Sequence, residues 1–294
     1  LKSEQGIFAA GFAFDSKKSK TSRHEKLFNS TVYLMTTSRI DVDFVCSRNI
    51  PTHQNLQNKK IALIGCGSIG GFLANLLCKL GAGSGNGILC LIDNEELEAG
   101  NIGRHLLGYP SINKPKAEAL SQELNRLIPT LNIEHRNIDA KNLQASDLRS
   151  YDLIIDASGE EGIGNHLCSI LTDKNLLSVW IEGNGLAARA LLHHSHKQAC
   201  YHCIRHYEQD GKLLAIKNNP GVILNGGCRT PYVTYPVMAA VEAANLGATM
   251  TLDWANDVLE PSFRTRLIDT SKELETFDCN PTPHPKCPVC NPST

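Results

Sequence analysis

The stretch from Lys60 to Arg104 constrains this chain most. Ile61 to Ile64 is a short aliphatic run of the kind that forms a strand buried on both faces, and it ends in Gly65-Cys66-Gly67-Ser68-Ile69-Gly70, a G-x-G-x-x-G turn. Beyond the turn, Phe72, Leu73, Leu76, Leu77 and Leu80 recur at helical spacing. In such a unit the first glycine permits the tight turn, the second lets backbone approach a phosphate, and the third lets the helix lie close against the strand. An anion would sit at the helix N-terminus, where free N–H groups and the helix dipole favour it. A second apolar run, Ile88 to Ile92, ends in Asp93, 23 residues beyond Gly70. That is near the spacing of roughly 20 at which a carboxylate meets a ribose hydroxyl. The context predicts a nucleotide at Gly65, Gly67 and Gly70 rather than an empty turn, and leaves open which nucleotide.

At 294 residues the chain has room for one large domain or two small ones. A net charge of −1 gives no bulk field for nucleic acid or an anionic membrane. No apolar run reaches the roughly 18 residues a spanning helix needs, and the opening LKSEQGIFAAGFAFDSKKSK lacks the pattern of an export signal. The expectation is a cytoplasmic protein with no membrane or nucleic-acid partner, and the initial Leu suggests a piece of something longer. Cysteines number eleven, and several (Cys66, Cys78, Cys90, Cys168) fall inside predicted buried elements. An odd count placed this way points to thiols and a metal rather than disulfides.

Residues 1–55 differ from the rest and read as an N-terminal arm or the remnant of an upstream domain. A basic stretch (Lys17, Lys18, Lys20, Arg23, Lys26), read as a solvated loop, leads to Thr31–Met35 and then to Ile40–Cys46. There Ile40, Val42, Phe44 and Cys46 alternate with polar residues, predicting a half-buried strand. Residues 56–294 form the second predicted domain. After Asp93 the sequence predicts a loop over 94–109, a helix opened by Pro115, strands at 133–138 and 153–156, a helix near 166–171 and a strand at 176–181. A strand over 186–192, a long polar loop from Cys200 to Asn225 and a small-residue helix over 233–250 complete it. Alternation of this kind makes a doubly wound, mainly parallel α/β sheet with helices on both faces. Gly65, Asp93 and Asp156 then converge at strand carboxyl ends, where such sheets bind ligands.

Two C-x-x-C pairs, Cys200/Cys203 and Cys287/Cys290, give four thiolates. Four such ligands close a tetrahedral shell around Zn2+ with no position left for water, so the predicted site is structural and staples the C-terminal region to a distant loop. Asn101, Arg104 and Lys116 offer an amide and two cations after the ribose carboxylate. That set suits a triphosphate attacked at its α-phosphorus.

Taken together, Gly65-x-Gly67-x-x-Gly70, Asp93-Asn-Glu-Glu-Leu-Glu-Ala-Gly-Asn101-Ile-Gly-Arg104-His105, Asn113-Lys-Pro-Lys116 and the paired C-x-x-C motifs resemble the E1-like adenylating enzymes. These include ubiquitin-activating enzymes and their bacterial relatives of thiamine and molybdopterin biosynthesis. The resemblance runs from about Lys59 to Cys290 and implies a Rossmann-like adenylation domain that uses ATP and Mg2+ on the C-terminal carboxylate of a ubiquitin-like or target protein. It implies Asp93 on the ribose, Asn101, Arg104 and Lys116 on the phosphates, and a homodimer in which Arg48 reaches the partner's site. Cys228, in Asn225-Gly-Gly-Cys-Arg-Thr-Pro231, has flexible glycines before it and Arg229 beside it, conditions that favour an exposed thiolate. By the resemblance it is the catalytic thiol that takes the acyl group as a thioester; the alternative is a packing thiol. The nearest likeness within the family is the E1 part of E2–E1 fusions from antiphage CBASS operons, with a fused or separate E2-like partner.

Two positions depart from the family pattern. Gly159 stands where a second Asp usually binds Mg2+, which shifts that role to Asp156, Glu160 or Glu161, and His105 replaces a usual Gln. Sulfur-carrier activation, RNA-modifying adenylation and an inactive scaffold stay open as alternatives, with a dehydrogenase the remotest.

Overall fold

A computed structural model describes residues 2–3, 6–7, 40–50, 54–218, 221–225 and 232–291. The chain divides into two compact units, 1–41 and 42–294. In the first, Lys2–Ser3 pairs antiparallel with Gly6–Ile7. The basic stretch and the expected strand at Thr31–Met35 lie outside the described residues.

The second unit opens with α1 (Val42–Ser47) and alternates through β1 (Lys60–Ile64), α2 (Ser68–Lys79), β2 (Ile88–Ile92), α3 (Lys116–Leu127), β3 (Ile133–Arg136), β4 (Leu153–Asp156), α4 (Glu161–Ile170) and β5 (Leu176–Glu182). It continues with β6 (Ala187–His193), α5 (Tyr201–Gln209), α6 (Val237–Ala255) and β7 (Phe263–Leu267). One seven-stranded sheet results, in the order β7-β6-β5-β4-β1-β2-β3. Neighbours from β3 to β5 run parallel, while β6 and β7 are antiparallel. The strand order reverses between β1 and β4, so the crevice for a ligand opens at their carboxyl ends.

The elements follow from their sequences. Ile61–Ile64, Leu89–Ile92 and Leu153–Ile155 are buried on both faces of the sheet, as parallel strands covered by helices must be. On one side α2 buries Leu73, Ala74 and Leu77. Against it lies α6, whose small residues permit a close approach: a Cβ on Gly247 would come 3.1 Å from Val179 and 3.2 Å from Leu73. Among the described residues no helix is long and apolar enough to cross a membrane.

Two expectations are corrected. Residues 42–47 form a helix, not a strand. Val42 and Cys46 are four apart and so share a helical face, and the Ser47 hydroxyl donates to the Asp43 carbonyl at 2.5 Å. The alternation over so few residues fits both periods. Residues 201–209 are helical rather than loop, because Tyr201 and Ile204 supply a short buried stripe in an otherwise polar segment. The loop over 94–109 holds a further 3-10 turn at Ala99–Arg104, closed by reciprocal capping between Glu98 and Asn101.

Arg189 lies within the apolar strand β6 and is fully buried. Its Nη1 donates to Glu208 at 2.7 Å and to Glu182 at 3.3 Å, its Nη2 donates to the Leu213 carbonyl at 2.7 Å, and the guanidinium lies 4.3 Å over the Phe263 ring. Two carboxylates and a carbonyl thus replace the water this cation loses.

Candidate functional site: a crevice at the strand ends and a cluster of four thiols

The glycine turn is built by close contact. A Cβ at Gly70 would lie 1.8 Å from the Gly65 carbonyl oxygen, and one at Gly65, where φ is +86°, would lie 2.7 Å from Ser158 backbone. Over Gly67 no atom beyond its chain neighbours lies within 4 Å of that position among the described residues. Gly67 is also the N-cap of α2, with no side-chain cap hydrogen bond and no acidic residue in the first turn. An uncapped helix N-terminus thus faces open space, the condition for binding an anion.

Asp93 stands beside it. Its Oδ2 accepts the Cys66 amide at 2.7 Å and its Oδ1 the Glu95 amide at 2.7 Å. Burial pushes its carboxyl above the usual range, and the two amides oppose the rise. Lys116, at the start of α3 and buried, forms an ion pair with Glu95. The Arg104 Nε donates to the Ser68 hydroxyl at 3.2 Å, and its guanidinium lies 5.1 Å over the Tyr235 ring. Asn101 commits its Oδ1 to the Glu98 amide at 3.0 Å, which leaves only its NH2 for a phosphate. Gly65, Gly67, Asp93, Glu95, Ser158 and Glu160 line the crevice, with Ile138, Ala140 and Ile163 as an apolar wall. A larger cavity, about 960 Å³, lies elsewhere, beside Lys59, Asp152, Lys174 and Trp254.

Asp156 ends β4 and is buried, its Oδ1 accepting the Ser158 amide at 3.0 Å and the Ser158 hydroxyl at 2.6 Å. Burial pushes its carboxyl up to about 6 against the pull of those hydrogen bonds. One carboxylate with substrate phosphates is an ordinary donor set for Mg2+, so Asp156 fits that ion. Gly159 has φ +69°, a left-handed conformation that an aspartate would adopt only with strain. Glu160 pairs with Lys141 at 3.3 Å and Glu161 with Arg205 at 3.0 Å.

Sequence reading missed how His105 works. The ring is buried; its Nε2–H donates to the Cys66 carbonyl at 2.8 Å, and its Nδ1 accepts the Leu107 amide at 3.0 Å. Burial lowers its pKa, in keeping with the neutral ring these two bonds require. His105 thereby ties the glycine turn to the chain that carries Arg104. His105→Ala is expected to cost roughly 2–3 kcal/mol in urea unfolding, because a buried carbonyl and amide lose their partner; a change under about 0.5 kcal/mol would contradict this.

The thiols of Cys200, Cys203, Cys287 and Cys290 lie within 4.8 Å of one another. Three of the separations are 3.8, 3.7 and 3.6 Å. A tetrahedron with Zn–S bonds of about 2.3 Å has edges of about 3.8 Å, and a disulfide would need about 2.05 Å. The cluster therefore fits zinc. Cys200 is the N-cap of α5 and Cys203 lies in its first turn, so one helix start presents both ligands of the first pair.

Arg48 is not brought to this crevice. It is exposed, with its guanidinium 5.6 Å over Phe44. Nearby Cys46 donates to the Cys78 carbonyl, at the end of α2 far from the glycine turn. Cys228 and Arg229 lie outside the described residues.

The ThiF family model matches residues 39–289. The chain belongs to the ThiF family. The resemblance to E1-like adenylating enzymes read from the motifs therefore holds at family level. Among ThiF relatives, the ATP-dependent ubiquitin transferase-like protein Cap2 of Pseudomonas aeruginosa is 43% identical, over 98% of this chain and 54% of its own length. The protein of that name from Escherichia coli is 28% identical, over 86% of this chain and 44% of its own. The chain thus spans about half the length of these relatives. Structures of E. coli MccB share the ThiF fold: the complex with AMPCPP and MccA gives a TM-score of 0.58 at 19% identity, covering 80% of this chain and 67% of the other. MccB has also been solved with ATP.

Proposed function

We propose that this domain adenylates the C-terminal carboxylate of a ubiquitin-like or target protein. The observation that carries this reading is the open, uncapped start of α2 at Gly67, with Asp93 on one side and Lys116 and Arg104 within reach. Asp93 holds the ribose, and the α2 amides, Lys116 and Arg104 hold the polyphosphate, with Asn101 contributing its NH2. The apolar wall of Ile138 and Ile163 receives the base. A carboxylate oxygen of the incoming chain attacks the α-phosphorus, the bond to the bridging oxygen breaks, and pyrophosphate leaves with its electron pair. Cations aimed at the phosphates stabilise the charge that develops. Asp156 would hold Mg2+, which would supply further charge neutralisation. In a homodimer, Arg48 of one protomer reaches the crevice of its partner.

In the second step the Cys228 thiolate attacks the acyl carbon and AMP departs, leaving a thioester for an E2-like protein or a fused E2 domain. A role in antiphage defence belongs to the same proposal and rests on the motif resemblance to E2–E1 fusions of CBASS operons. Cys228→Ala is expected to retain carboxylate-dependent exchange of pyrophosphate into ATP and to lose a thiol-reducible adduct on gels. An adduct surviving the substitution would remove Cys228 from the thioester step, and exchange without any reducible adduct in the unaltered chain would point to another acceptor, as in an RNA-modifying adenylase.

A second reading, a nucleotide-binding scaffold without adenylation, is favoured by one feature, Gly159 in place of the family's aspartate. Pyrophosphate exchange separates the two: a rate dependent on a C-terminal peptide supports the enzyme, and none with any carboxylate partner supports the scaffold.

A further inference from the structure

The contact between Lys116 and Glu95 is unequal. The Lys116 side chain is 8% exposed and that of Glu95 62%. The backbone fixes them side by side: the Lys116 amide donates to the Glu95 carbonyl at 2.9 Å, Glu96 bridges Pro115, and the Leu97 amide donates to Lys114 at 2.9 Å. The Glu95 amide in turn donates to Asp93, so one residue touches two of the groups assigned to the nucleotide. Glu95 lines the same crevice as Gly67.

An ammonium enclosed away from water needs a counter-charge to replace the hydration it loses. Glu95 supplies it. A polyphosphate entering beside Gly67 brings several negative charges next to that carboxylate, and like charges in one crevice repel. Lys116 cannot withdraw, because its stem is enclosed. Glu95 can, because most of its side chain already meets water.

We infer that Glu95 is a positioning residue that holds the Lys116 ammonium aimed while the crevice lacks nucleotide, and that the polyphosphate displaces it. Resting as it does on the ATP reading above, the inference adds that the empty site carries its own stand-in for phosphate. Two consequences follow. Glu95 opposes ATP binding even though it touches the lysine that receives ATP, and its effect runs through Lys116.

The test is ATP affinity by titration calorimetry with the complete chain, with and without Mg2+, for the unaltered protein, Glu95→Gln, Lys116→Met and the double variant. In Glu95→Gln, ATP is expected to bind about two- to fivefold more tightly, the scale of one half-exposed ion pair, while the melting temperature without nucleotide falls slightly. In the Lys116→Met background the gain is expected to vanish. A purely structural role for Glu95 would weaken binding rather than tighten it. Unchanged or weaker affinity in Glu95→Gln overturns the inference, and weakening confined to Mg2+-containing samples would make Glu95 a metal ligand instead. Absence of ATP binding by the unaltered chain defeats the nucleotide reading as well. Normal binding there with no gain in Glu95→Gln defeats this inference alone.

Discussion

Lys116→Met is expected to lower carboxylate-dependent pyrophosphate exchange about 10²- to 10³-fold, the effect of removing one group aimed at developing charge in an enclosed site. Methionine keeps much of the buried stem's volume at the start of α3, so packing against neighbouring Ala117 and Leu120 survives. Glu95 loses its partner but is largely exposed and returns to water at little cost. The substitution therefore separates charge from fold. Melting within a few degrees of the unaltered protein, with exchange nearly abolished, is the expected pair of results; exchange within about threefold of normal would remove Lys116 from the phosphate site.

Stripping zinc is expected to have the largest effect on stability. Cys200 and Cys203 sit at the start of α5, Cys287 and Cys290 near the end of the described chain, and three of the four are buried. Besides the thiols, hydrogen bonds tie the tail down: the Phe263 and Cys279 backbones pair, the Ala199 amide donates to the Pro281 carbonyl at 2.9 Å, the Ser262 amide donates to Asn280 at 2.7 Å, and His284 meets Asp210 at 3.0 Å. Without metal, four thiols a few ångströms apart would depend on these contacts alone, whereas in small zinc-binding peptides the metal contributes about 10 kcal/mol or more. Cys287→Ser or prolonged chelation should lower the melting temperature by on the order of 10 °C, with one zinc released per chain by elemental analysis. The tail and α5 should become the first sites of proteolysis. A chain that melts unchanged after chelation and yields no zinc would show that the cluster is four packed thiols.

The central parallel strands β1, β2 and β4 were legible because they are continuous apolar runs ended by glycine or aspartate, and Gly65, Asp93 and Asp156 do meet at one set of strand ends. The four cysteines were legible from paired spacing. Short, mostly polar elements were not. Helix α5 buries only a few side chains among histidines and arginines, and α1 is too brief for period 2 and period 3.6 to be told apart. Arg189 shows a different limit: an arginine inside an apolar strand gives no local sign that Glu182, at the end of the preceding strand, and Glu208, on a later helix, will enclose it. The ion pair of Lys116 with Glu95 was hidden for a similar reason, since Glu95 lay in an expected loop and Lys116 at the start of an expected helix, with no local sign that the 94–97 and 113–116 segments pair.

The fate of oxygen tests the adenylation reading most directly. With a peptide or protein partner whose C-terminal carboxylate carries ¹⁸O, attack on the α-phosphorus followed by transfer of the acyl group leaves one labelled oxygen in AMP. Mass spectrometry of the nucleotide products is expected to find ¹⁸O in AMP and none in pyrophosphate. Label in inorganic phosphate, or AMP formed without label, would contradict attack of the carboxylate at the α-phosphorus.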